Sequence, residues 1–185
     1  MLSLSEPKFQ FDRNKFKEVV HFIVSISDPC ELTKVKLHKA LYFSDVFSFL
    51  EKSQPITGVD YVKQKFGPTA RHLAWALREL ENEGSLESYD EEFYGYIARR
   101  FKNKTDCRAT SISDDEKNII RHFTQFVCGK TASEISDLSH NAAWHSVGIG
   151  EAIPYHRAIR ILPAEVDDED MDWAETTITE YVQAT

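Results

Sequence analysis

The chain has 185 residues, 42% hydrophobic and 12% aromatic, which is one domain's length with apolar material for a core and rules out disordered, collagen-like and coiled-coil classes. Its formal net charge of −8 is local, because residues 165–185 hold eight acids and no base while the rest carries 22 acids against 22 bases. A nucleic-acid role therefore needs a local basic patch, since no overall positive charge is available to drive phosphate binding.

In chain order, Asp12 can cap a first helix with apolar positions Phe16, Val19, Val20, Ile23 and Ile26, ending near Asp28-Pro29. Thr33 caps a second, carrying Leu37, Leu41 and Phe47 to about Lys52. Residues Tyr61 to Phe66 read as a short strand that Gly67-Pro68 stops. Proline is pre-set for a first helical position, so a third helix is expected from Pro68 to Glu83, with Ala70, Leu73, Ala74, Leu77 and Leu80 on its apolar face.

Two strands follow, near Leu86–Tyr89 and Tyr94–Phe101, with an acidic turn at Asp90-Glu91-Glu92 between them. Ser113 with Glu116, and Thr131 with Glu134, have capping-box spacing and open a helix to Gly129 and a shorter one to about Ser139. Pro154 starts a short helical segment with Ala158, Ile159 and Ile161, and Met171, Ala174, Ile178 and Tyr181 have the spacing of a docked terminal helix. The fold class expected is α+β: a mainly helical single domain over 1–164 with a small antiparallel sheet or hairpin, then an acidic tail over 165–185.

Chemistry-bearing residues are sparse. His140, His145 and His156 with Glu134 and Asp137 form the one cluster of metal-type side chains, without a recognised ligand spacing. Neither Ser139 nor Cys128 sits in a nucleophile motif, and the glycines form no phosphate loop. No enzyme activity, catalytic residue, metal or cofactor is expected. Cys30, Cys107 and Cys128 lack a CxxC pair and fit reduced thiols. With no apolar leader and no membrane-length apolar run, a cytoplasmic location is expected.

The order helix, helix, strand, helix, hairpin admits a winged-helix DNA-binding regulator. Its helix would carry Arg71, His72 and Arg78, and its wing Arg99, Arg100, Lys102 and Lys104. The surplus of rings around the second helix, Tyr42, Phe43, Phe47 and Phe49, suits a protein partner instead.

Two blocks carry a resemblance. The run Lys36-Leu37-His38-Lys39-Ala40-Leu41-Tyr42-Phe43-Ser44-Asp45 and the stretch Thr57-Gly58-Val59-Asp60-Tyr61 to Gly67-Pro68 are patterned KLxKxLYFxD and TGxxYxxxxxGP. With Ser139-His140, Trp144 and Ile153-Pro154-Tyr155 following in order, the chain resembles the Panacea domain of SocA-like antitoxins over about residues 15–160.

The resemblance implies a mostly helical α+β domain that neutralises a cognate protein toxin. In one branch of the family such a domain is an adaptor delivering the toxin to a Clp-type protease. No cofactor comes with it. Some members carry a DNA-binding module before the domain, for which the residues ahead of the first helix are too few. Within the matched blocks, Leu37, Leu41 and Phe66 are expected in the core. Two roles fit Tyr42, Asp45, Arg71, His72, His140 and Trp144: lining a shared partner groove, or forming an internal polar network that ties the helices to the sheet.

Overall fold

The computed structural model describes residues 9–93 and 95–157. Its elements are α1 (Arg13–Ile26), α2 (Lys34–Lys52), β1 (Tyr61–Gln64), β2 (Gly67–Ala70), α3 (Leu73–Asn82), β3 (Leu86–Phe93), β4 (Tyr96–Asn103), α4 (Asp114–Cys128), α5 (Ala132–Ser139) and α6 (Ala142–His145). The chain is α+β and mainly helical, with two antiparallel hairpins, β1–β2 and β3–β4, as its sheets.

The helices begin where the local chemistry dictates. Asp12 accepts from the backbone N–H groups of Asn14 and Lys15, Thr33 accepts from Lys36, and both capping boxes close reciprocally at Ser113–Glu116 and Thr131–Glu134. Each satisfies amides that a helix start leaves without an internal partner. Helix α2 packs against α1, α4, α5 and β2, so it buries side chains around most of its girth: Leu37, Leu41 and Tyr42, but also Lys36, Lys39 and Asp45. One continuous core runs from Phe16 through Leu37, Tyr61, Leu73, Phe101, Ile120 and Ile135 to Ile153.

Pro68 does not start a helix. Gly67 takes φ +95, turning the chain back after Lys65-Phe66, and Gly67–Ala70 pairs with β1 in the register Tyr61↔Ala70 to Gln64↔Gly67. Pro68 is tolerated because β2 is an edge strand. The side chains of α2 cover that edge: Lys39 Nζ donates to the Pro68 carbonyl at 2.9 Å, and the Ala70 amide donates to His38 Nδ1 at 3.1 Å. The third helix therefore begins only at Leu73, burying Leu73, Ala76, Leu77 and Leu80.

The acidic residues 90–92 are not a turn either. They belong to β3, which pairs with β4 from Leu86↔Asn103 to Phe93↔Tyr96. On the far side of β1, residues 150–153 run alongside as an irregular third strand, with Lys63 donating to Glu151 O and Ile153 to Tyr61 O. Beyond a single helical turn at 155–157, the segment expected from Pro154 and the terminal stretch 165–185 lie outside the described residues. Among the described residues, no helix is long and apolar enough to cross a membrane.

Candidate functional site

The motif residues converge on the β1–β2 hairpin, and they do so in three places: its buried back, its tip and its base. At the back, Asp45 on α2 is fully buried and gathers the loop leading into β1 around its carboxyl group. It accepts from the Thr57 amide at 2.8 Å, the Thr57 hydroxyl at 2.5 Å and the Tyr61 hydroxyl at 2.7 Å. The Tyr155 hydroxyl turns inward as well, 2.8 Å from the Val59 carbonyl and 3.3 Å from Asp45. Burial raises the Asp45 pKa despite these donors, and it raises those of Tyr61 and Tyr155 too. Tyr42 is equally deep, with its hydroxyl beside the Asn141 side chain, and burial pushes it up to about 12.

Lys39 completes this interior. It is 1% exposed, and burial lowers its pKa to about 7. A Cβ added at Gly67 would lie 2.7 Å from Lys39 Nζ and 2.3 Å from Ser139 Oγ, so only glycine lets the strand pass this close to α2 and α5. Next to it, burial and then the Lys39 charge bring His38 down to about 3, which keeps its ring neutral and able to accept from Ala70.

At the tip, Trp144 is clamped. Its ring stacks on His140 with centroids 4.1 Å apart, Lys63 Nζ stands 4.0 Å over it, and its Nε1 donates to the Gln64 carbonyl at 3.2 Å. Asn141 holds α6 in place by accepting from the amides of Ala143 and Trp144. The His140 pKa is lowered, first by burial and then by the Lys39 charge. Ser136 on α5 donates to the Phe66 carbonyl at 3.1 Å, fixing the turn from the other side. Phe66, expected in the core, is instead 59% exposed, and Leu138 on α5 is 49% exposed. The strand ends at Gln64 and Phe66 falls in the two-residue turn after it, so it has no strand face on which to be buried.

At the base, the His72 ring stacks on Phe11 at 4.7 Å and Arg71 faces Asp60 at 4.0 Å. A cleft of about 430 Å³ opens here, lined by rings from Phe9, Phe11, Phe49, Tyr61, His72 and Tyr155. The six residues singled out from the sequence thus share one hairpin but not one groove. Tyr42 and Asp45 are interior, Arg71 and His72 stand at the base, and His140 and Trp144 at the tip. Phe66, Tyr155, Lys39 and Asn141 were missed as site residues. The proline motif and the N-capping asparagine were visible signals for two of them.

The basic run lies on β4 and at Lys104 just after it, opposite acids. Arg99 pairs with Asp90 at 3.1 Å, Arg100 with Glu91, and Lys104 with Glu87 at 3.2 Å, while Lys102 stands across from Glu87 in the strand register. Among the described residues, no three His, Cys, Asp or Glu side chains group in a way that could hold a metal ion.

No curated protein and no solved structure matches the chain. The family described as antitoxin SocA-like, Panacea domain, matches residues 37–145. That span takes in α2 from Leu37 onward, both hairpins and α3 to α6, including every contact by which Asp45, Lys39 and His38 fasten β1 and β2 to α2. By this match, over more than half its length, the chain belongs to the SocA-like antitoxin family with the Panacea domain.

Proposed function

We propose that this protein neutralises a cognate protein toxin by binding it through the hairpin tip, without making or breaking a bond. The observation that supports this is Phe66, a large apolar side chain left 59% exposed on a turn that Ser136, Trp144 and Gly67 hold fixed. Apolar and aromatic groups held rigid at a surface lose little entropy when a partner covers them, and such groups dominate interface energetics. Leu138, Trp144 and Lys63 stand on the elements around it and supply the surrounding contact surface.

The test is co-expression with the product of the neighbouring reading frame. That product alone should arrest growth, and the wild-type protein should restore it. Phe66→Asp should abolish rescue while leaving the melting temperature unchanged, since exposed substitutions stay within about 0.5 kcal/mol. A neighbour that is harmless alone, or lethal beside the wild-type protein, defeats the reading. Rescue by Phe66→Asp moves the contact away from the tip. Delivery of the toxin to a Clp-type protease is the finer form of the proposal, and it predicts that the toxin's half-life shortens only when both this protein and the protease are present.

A further inference from the structure

The cleft at the base of the hairpin is separate from the tip, and its chemistry is different. Phe9, Phe49 and Tyr155 form a three-ring wall, each pair 5.5 to 5.8 Å between centroids, and Tyr61 packs edge-on to Tyr155 at 6.0 Å. Phe11 stacked on His72 also lines the cleft. Phe9, Phe49 and Tyr155 are only half-buried although they are large and aromatic, so the wall has surface to offer.

The polar ends of the two tyrosines are not available to a ligand. Both hydroxyls point inward, to Asp45 and the Val59 carbonyl. A phenol that donates its proton to a carboxyl or carbonyl oxygen gains electron density on its ring, which strengthens its attraction for a cation. The acid at the mouth is Asp60, whose side chain is 69% exposed. The other titratable groups facing the cleft are the imidazoles of His72 and His156. Arg71 approaches Asp60 only to 4.0 Å with both side chains exposed, a pairing that water screens and that leaves the carboxylate open to a better-placed partner.

We infer that this cleft is a receptor for an arginine side chain presented by a polypeptide partner, its guanidinium plane laid against the ring wall and its N–H groups on Asp60. Arginine fits better than lysine because its flat, weakly hydrated cation stacks on rings and meets a carboxylate through two parallel hydrogen bonds. The inference does not depend on toxin binding at the tip. Much of the lining, Phe9, Phe11 and residues 152–156, lies outside the family-matched span of residues 37–145.

The test uses the full-length protein and Nα-acetyl-arginine amide, followed by the NMR shifts of the Phe49 and Tyr155 ring protons. The matched citrulline compound, the same shape without the charge, is the control. Saturable shifts are expected with arginine, and binding of citrulline should be at least about tenfold weaker, the ratio that a desolvated cation–ring contact gives. Asp60→Asn, at an exposed position that leaves folding intact, should weaken arginine several-fold, and Phe49→Leu should weaken it further. Equal binding of citrulline, or no saturable shift of these rings with arginine, overturns the inference. Tetramethylammonium binding in place of arginine overturns it too, in favour of a small free ammonium ligand.

Discussion

Lys39 puts an amine in the middle of the domain, and among the described residues its hydrogen bond is to a carbonyl, not an acid. Its pKa falls from 10.5 to about 7, so between those values the unfolded chain holds a proton that the folded chain has released. Stability must therefore rise as pH climbs from about 7 to about 10.5, by on the order of 5 kcal/mol for this group alone. Lys39→Met should lose that rise, which chemical denaturation of both proteins across pH 7 to 10 would detect. Equal slopes would mean that Lys39 titrates normally. His38 has the same sign in a lower window: folded at about 3 against 6.5, it removes stability as pH falls from about 6.5 toward 3. The loss arises because the neutral ring that accepts from Ala70 must take up a proton.

The β1–β2 hairpin shows what local sequence can and cannot carry. Helix starts are written in a few adjacent residues, and Asp12, Thr33, Ser113–Glu116 and Thr131–Glu134 all act at the positions their spacing indicates. Strand β2 is written elsewhere. Gly-Pro before an apolar helical period reads locally as a helix start; pairing with β1 makes it a strand, and Lys39 and His38, about thirty residues upstream, hold its other edge by taking a carbonyl and an amide. Likewise Asp90-Glu91-Glu92 looks like a turn until β4 supplies the opposing bases. Site residues divide in the same way: Asp45 and Tyr61 were visible as motif letters, but their joint network needed the fold to bring Thr57 and Tyr155 to them. The close passage at Gly67 gives a comparison within one chain. Gly67→Ala meets both a left-handed φ and a Cβ 2.3 Å from Ser139 Oγ, whereas Gly84→Ala, at φ +69, meets open space. Thermal unfolding should show a loss of about 1 kcal/mol for Gly84→Ala and of about 3 kcal/mol or more for Gly67→Ala. Similar losses would mean that the hairpin can move away from α2.

At the scale of the whole molecule, the distribution of charge bears on the DNA-binding reading. Phosphate binding draws on cations whose charge is free to replace condensed counterions. The densest basic run, on β4 and at Lys104 just after it, is met by acids of β3: Asp90 for Arg99, Glu91 for Arg100, and Glu87 shared by Lys102 and Lys104. A hairpin whose two strands answer each other's charge has little net field to offer a duplex. The chain as a whole stands at −8, with eight of its acids in the last 21 residues, so its long-range field repels a polyanion. The protein is therefore expected not to retard its own promoter DNA in a gel even at low salt, where electrostatic binding is strongest. Glu87→Gln with Glu91→Gln, which unmasks three of the four bases, should produce weak retardation that disappears as salt is raised. Salt-sensitive retardation by the wild-type protein would instead show that its cations are free to bind phosphate.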